Sequence, residues 1–338
     1  MRRVLARRFS SAILVLLGAS LITFILARVV PSDPTLAYIG PKATEADAAR
    51  LHITLGLDRP LPVQYLNYMR DMLSGDWGYS LSSKQPVLQE IGNRLPPTLE
   101  LIVAAVGFAA LIGLLLGVIA ARHRGDFKDG LIRVVSIAGV SMPAFWLGLL
   151  LQLLFVGRFH LFPATGEFDP DIKFTNPIQK ITGFPIFDSL ITGNLTAFTN
   201  GLWHLVLPAL TLSAYSIGLI TRMVRANLLD VLSQDYIKVA RAYGLSEKVI
   251  LFRLALRNAL PPIVTVIGLS IAYLLTGTFF VEQVYNWPGI GSFAATSLLS
   301  VDYPAIMGIT LLGAIGYLTI NLIVDLIQAK LDPRVRLT

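Results

Sequence analysis

The sequence predicts an all-α membrane protein, and three observations predict it. Apolar residues make up 54% and charged residues 14% of the 338, with a mean hydropathy of +0.66. That is more apolar surface than a water-soluble chain can hide behind polar side chains. Apolar runs close to the roughly 20 residues that cross about 30 Å of hydrocarbon recur along the chain. Lys and Arg gather at alternate ends of those runs, the asymmetry that sets membrane orientation.

The first run, Phe9 to Val30, follows Arg2, Arg3, Arg7 and Arg8. It is too long for a signal-peptide core and has no clear small-residue cleavage site, so it reads as a retained helix. Five more runs follow at Leu99 to Ala121, Leu131 to Phe155, Leu205 to Val224, Leu260 to Val281 and Tyr303 to Gln328, giving six spans. With the N-terminus cytoplasmic, 18 of the 28 cations and 7 of the 21 carboxylates fall inside, a net +11 against −4 outside. Both termini are therefore expected in the cytoplasm. The cations flank spans instead of forming one basic face, which argues against nucleic acid as a partner.

The chain divides into 1–30, the N-terminus and first span; 31–98, an external cap; and 99–338, a core of five spans. The core includes an external loop at 157–204 and an inner segment at 230–259. Pro60, Pro62, Gly75 and Gly78 mark turns between short helices in the cap. The inner segment is too polar to span a bilayer. Val239, Ala242, Val249, Phe252 and Leu256 recur at helical spacings, which predicts an amphipathic helix, a break at Gly244 to Ser246 and a second helix capped by Ser246. Periodicity alone leaves two readings open, a headgroup-level surface helix and a partner-docking element.

The stretch DYIKVARAYGLSEKVILFRLALRNALPPIVTVIG resembles the inner-loop signature of the dipeptide, oligopeptide and nickel permease family of ATP-binding-cassette (ABC) importers. ARRFSSAILVLLGASLITFILARVVPSDP, LGLDRPLPVQYLNYMRDMLSGDWGYSL, RLPPTLEL, MPAFWLGLLL, VEQVYNWPGIG and LDPRVR are also similar to that family, so the resemblance covers nearly the whole chain. Lys238 and Val239 depart from the general importer signature, and Leu254 and Ser32 stand where relatives often have His and Gly.

The resemblance implies a type I ABC importer transmembrane domain with six transmembrane helices in the bacterial inner membrane. Its partners would be a homologous second permease, two ATP-binding subunits, a periplasmic solute-binding protein and membrane lipid. It assigns ATPase coupling to Asp235, Tyr236, Ala240, Arg241, Ala242, Gly244, Leu245, Arg257 and Asn258. Short peptides are the implied cargo; nickel chelates, glutathione, opines and sugars are carried by related systems, and a stand-alone secondary transporter is the rival class.

The chain has no GxxxxGK[ST] phosphate loop, so ATP and Mg are expected on partner subunits, with no cofactor bound here and no catalytic residue. It has no cysteine, which removes thiolate chemistry and Cys-ligated metals. His52, His123, His160 and His204 are scattered without i, i+4 pairing, so no metal site is expected. Charges are nearly absent from span centres, and Glu282 and Asp302 read as interfacial charges on the outer side. Ser141, Trp146, Tyr215, Ser216, Tyr273 and Thr276 are candidates for a translocation path, with helix packing as the alternative role for each. Glu282, Trp287, Pro288 and Gly289 read either as an outer gate or as a fixed turn anchored at the interface by Trp287.

Overall fold

The computed structural model describes residues 2–29 and 58–331. Ser32, His52 and the rest of 30–57 lie outside the described residues, as does the chain from Asp332 onward. Among the described residues the protein is helical, with one isolated antiparallel bridge, Tyr79 to Pro86. The helices are α1 Arg2–Val29, α2 Leu61–Ser74, α3 Val87–Arg122, α4 Phe127–Ser141 and α5 Ala144–Leu151, the last continuing as a π-helical turn, Gln152–Arg158. Then come α6 Ile172–Thr175, α7 Pro185–Ile191, α8 Leu195–Leu232, α9 Asp235–Ala242 and α10 Glu247–Val249. A second π-helical turn, Ile250–Ala255, joins α10 to α11 Leu256–Val284, followed by α12 Ile290–Leu299 and α13 Tyr303–Leu331. Five helices are long and apolar enough to cross a membrane, or six if α4 and α5 count as one crossing.

That third crossing departs from expectation. It is broken at Met142 and Pro143, where α4 and α5 meet at 113°. Proline disfavours helix in the residue before it and cannot donate to the ladder, and Met142 duly takes an extended conformation at ψ 131°. The second and fifth spans also start earlier than their apolar runs. α3 begins at Val87 and runs through Pro96 and Pro97, and the fifth span is continuous from Glu247 through Pro261 and Pro262.

The residues group into two compact units. The first comprises 1–98 and 288–318. In it Phe24 of α1 packs on Tyr65 and Tyr68 of α2 with centroids 5.3 and 5.9 Å away, and Ser20 Oγ lies 2.9 Å from Tyr65 Oη. Pro62 opens α2 and Gly75 closes it in the left-handed region at φ 89°, as Pro at a helix start and Gly at a helix end should. Asp302, read from sequence as an interfacial charge, is fully buried. It accepts from Ser80 Oγ at 2.6 Å, Ser82 N–H at 3.0 Å and Ser82 Oγ at 2.9 Å, and caps α13 through Ala305 N–H at 3.3 Å. A buried carboxylate survives only when it is hydrogen-bonded in this way.

The second unit comprises 99–287 and 319–338, and α8 is its axis. Two-thirds of α8's apolar window is buried, and α8 packs on α4, α5, α7 and α11. Its N-cap is Asn194, whose side chain accepts from Ala197 N–H at 3.1 Å. At 38 residues α8 is about 57 Å long, well beyond the hydrocarbon thickness, so it projects past the apolar layer. One apolar cluster surrounds Leu101, Leu205, Leu207 and Trp287; a second, toward the other end of α8, surrounds Ile220, Val224, Leu228, Ile237 and Ile250.

Outside the spans of this unit, Asp188 of α7 is buried and takes four hydrogen bonds: Thr182 N–H and Oγ1 at 2.9 and 2.5 Å on one oxygen, Ile181 and Gly183 N–H at 3.0 Å on the other. Burial alone pushes its carboxyl up, but these donors outweigh it and hold the carboxyl below the ordinary range. A depressed folded-state value adds stability that is present above the unfolded value near 3.9 and lost as pH falls through the folded one. Asp188→Asn keeps the shape but removes the charge, so hydrogen exchange at the Ile181, Thr182 and Gly183 amides is expected to speed up by roughly tenfold or more at neutral pH. In the wild type the same amides are expected to lose protection only below about pH 4. Unchanged exchange in the variant would refute this role.

Candidate functional site

The inner segment singled out in the sequence forms a compact elbow between α8 and α11. α8 ends at Leu232, and Ser233 and Gln234 turn the chain into α9. Gly244 breaks the helix at φ 76°, with Gly244 N–H on Arg241 C=O at 2.9 Å and Leu245 N–H on Ala240 C=O at 3.2 Å. Nothing lies within 4 Å of where a Cβ would sit on Gly244, so the requirement there is backbone conformation and not space. The chain then re-enters helix at Glu247, and Arg241 spans the break by binding Glu247 at 2.7 Å.

The elbow has two faces, and the structure shows which one packs inward. Ile237, Ala240, Ile250, Leu251 and Ala255 are buried against Val224, Leu228, Ala259 and Ile263. Val239 and Phe252 of the periodic stripe are about half exposed, and Ala242 is exposed too. Both faces carry apolar residues at helical spacing, so the pattern itself does not say which turns inward. The π-helical turn over 250–255, with i→i+5 bonds, also shifts the phase relative to a 3.6-residue repeat.

Of the coupling candidates, Asp235, Tyr236, Arg241, Ala242, Gly244, Leu245, Arg257 and Asn258 are exposed, and Ala240 is buried. Asn258 Nδ2 donates to Tyr236 Oη at 2.9 Å and to Leu254 C=O at 3.0 Å, tying α9 to the start of α11. Together with Tyr243 at 84% exposure, the residues Tyr236, Val239, Leu245 and Phe252 make an outward apolar surface. Apolar surface of that kind, rimmed by Lys238, Arg241 and Arg257, marks a protein or membrane contact.

A pair that sequence reasoning missed anchors the neighbouring turn. Asp129 of α4 is 1% exposed. It accepts Arg225 Nε at 2.7 Å and Nη2 at 2.8 Å from α8, and Gly125 N–H at 3.1 Å. Arg133 Nε stands 3.7 Å away. In the sequence these are topology-setting charges 96 residues apart, and no spacing links them.

The path candidates separate by position. Tyr215 of α8 and Tyr273 of α11 stack with centroids 4.2 Å apart and planes at 24°. Trp146 is 44% exposed on α5, and Ser141 is exposed at the break after α4. Ser216 is fully buried, and its Oγ has no hydrogen-bond partner. The Thr276 side chain lies outside the described residues. Glu282, read as interfacial, is fully buried, as is Trp287. The Trp287 indole is enclosed in the Leu101 and Leu205 cluster, so it holds the turn by core packing and not as an anchor at the headgroup level. Pro288 is exposed and Gly289 buried at the N-cap of α12. His204 has Nε2 3.2 Å from Asp169 Oδ1 and Nδ1 2.9 Å from Gly166 C=O. Among the described residues no three His, Asp or Glu side chains converge as a metal site would require.

Five helices apolar and long enough to cross a membrane, or six, with an ordered elbow between two of them, are the mark of a multi-pass membrane protein. Comparison with known proteins places it further. Residues 113–337 match the family described as binding-protein-dependent transport system inner membrane component, and residues 1–102 match the N-terminal model of the same system. The chain belongs to that family. It is 41% identical over 332 residues to the probable D,D-dipeptide transport system permease protein DdpB of Escherichia coli K12, covering 98% of this chain and 97% of that one. It is 39% identical over 334 residues to the di/tripeptide transport system permease protein DppB of Pseudomonas aeruginosa, covering 98% of each. To the dipeptide transport system permease protein DppB of Escherichia coli K12 it is 37% identical over 337 residues, covering 99% of each. Among solved structures, the inward-facing MetNI methionine ABC transporter shares the fold, with a TM-score of 0.51 at 18% identity over 70% of this chain and 93% of that one.

Proposed function

We propose that the chain is one transmembrane permease subunit of an ABC importer, pairing with a homologous second permease and passing short peptides handed over by a periplasmic solute-binding protein. Two partner subunits bind ATP and Mg and hydrolyse the nucleotide; this chain carries the motion and not the chemistry. The elbow faces the cytoplasm together with both termini.

The observation that carries this reading is the elbow's division of labour. Its inner face is packed on α8 through Ile237 and Ala240 and is continuous with α11, while its outer face leaves Tyr236, Val239, Tyr243, Leu245 and Phe252 uncovered. A partner that grips that face at Tyr236, Val239, Tyr243 and Leu245 when ATP closes it displaces α8 and α11 as one body and biases the spans between two states. The relatives named above are peptide permeases, which supports the cargo class. The near absence of charge along the spans suits a path that leaves selection to the binding protein.

Co-expression with its genomic neighbours is expected to yield a complex with ATP-binding subunits that imports labelled dipeptide into proteoliposomes only with ATP and binding protein. Val239→Asp and Tyr243→Ala are expected to reduce retention of the ATPases by roughly tenfold or more, with the chain still folded. Because the chain has no cysteine, single cysteines report orientation: Lys84→Cys is expected to react with an impermeant maleimide in spheroplasts and Ser246→Cys only in inverted vesicles. Transport without ATPases, or reversed labelling, would refute the reading.

A further inference from the structure

The turn after α3 and the elbow enclose a cavity of about 460 Å³, within the range of small-ligand sites. Its wall holds four cations, Arg122, Arg124, Arg241 and Lys248, and one carboxylate, Glu247. Arg241 is matched by Glu247 at 2.7 Å. Among the described residues Arg122, Arg124 and Lys248 have no ion-pair partner, although buried Asp129 is satisfied close by in sequence. Three unmatched cations around one opening repel each other, and a group with several anionic oxygens relieves that repulsion. Two of them are Arg, whose planar forks fit phosphate.

The rest of the lining separates a free anion from a lipid. Leu229 and Phe252 give the cavity an apolar side, and it lies where two span helices, α3 and α8, end. Inorganic phosphate would leave that apolar side unused, whereas a phospholipid presents phosphate and hydrocarbon together. We propose that this cavity holds the phosphate headgroup of an anionic phospholipid, with Arg122, Arg124 and Lys248 on its oxygens and its glycerol and acyl portion over Leu229 and Phe252. Basic clefts between spans on the cytoplasmic side are suited to such headgroups. The proposal rests on the orientation given above in placing the cavity at the inner leaflet. Lipid there would brace the elbow against the ends of α3 and α8.

The test uses the full chain with its co-expressed partners, released for native mass spectrometry from nanodiscs of equal phosphatidylglycerol and phosphatidylcholine. A retained phosphatidylglycerol adduct is expected on the wild type. Arg122→Gln with Arg124→Gln is expected to reduce it about 25-fold, at about fivefold per juxtamembrane cation. Arg122→Lys with Arg124→Lys keeps the charge and is expected to keep the adduct, which separates loss of charge from loss of fold. Equal adduct on the glutamine variant, or equal retention of both lipids, would overturn the proposal. So would displacement by millimolar inorganic phosphate, which would mark a free-anion site, and so would loss of the ATP-binding subunits from the glutamine variant with the adduct unchanged, which would assign the cleft to protein contact. A wrong orientation would show separately in the cysteine labelling and leave the adduct comparison readable.

Discussion

Asp129→Ala is expected to abolish accumulation of folded protein, while the double change Asp129→Leu with Arg225→Met restores most of it. The carboxylate is buried and takes both Arg225 nitrogens at 2.7 and 2.8 Å. Removing it leaves the Arg225 guanidinium, largely buried with its side chain 23% exposed, without its carboxylate between α4 and α8. Breaking one partner of a buried pair costs about 3–5 kcal/mol, whereas replacing both by apolar side chains of similar volume is often neutral. Gly125 N–H would lose its acceptor in either variant, a smaller cost of about 1–3 kcal/mol if that amide stays dry. Thermal denaturation in detergent, read as the fraction of monodisperse protein, separates the cases. A single variant as stable as the double would show that the pair is not holding the turn to α8.

Gly218→Leu is expected to be equally severe, for a steric reason. A Cβ at Gly218 would sit 2.4 Å from the Ser136 carbonyl oxygen and 2.8 Å from Val140 Cγ2. The first obstacle is backbone, so no rotamer change relieves it; α4 and α8 must move apart. α3 approaches α8 in the same manner: Gly117 would place a Cβ 2.5 Å from Val224 Cβ and 2.9 Å from the Thr221 carbonyl oxygen, and Gly113 would place one 2.7 Å from Ile220 Cγ2. Small residues let membrane helices close to backbone contact, where dispersion replaces the hydrophobic drive that lipid does not supply. An overpacked core position costs about 1–3 kcal/mol when side chains yield, and here they are not what blocks. Gly130→Ala is the control, since nothing lies within 4 Å of its Cβ position, and a helix gains about 0.5–1 kcal/mol from Ala over Gly. Normal expression of Gly218→Leu would show that α4 and α8 are free to separate.

Much of the elbow was legible in the sequence because its signals are local. Gly244 between two helical patterns marks a reversal that needs a positive φ, and the structure has one at 76°. Ser246 precedes the second helix, although its side chain makes no capping bond. What was not legible is the orientation of α9. Ile237 and Ala240 compete with Val239 and Ala242 for the inward face, and only the surfaces of α8 and α11 decide between them. The same holds for Tyr215 and Tyr273, two polar aromatics in separate spans that become one stacked pair.

By itself the sequence determined that the chain is helical, that it crosses a membrane about six times and that a polar helical segment sits between the fourth and fifth apolar runs. These follow from composition, from runs long enough to span hydrocarbon and from backbone preferences at Gly and Pro, all of which act within one or two helical turns. Only the tertiary structure decided that Asp302 and Glu282 lie buried and that Asp129 meets Arg225. Those outcomes depend on groups tens to hundreds of residues apart in the chain, where the energy of enclosing a charge or closing two helices to contact is set by the partner and not by the neighbours in sequence.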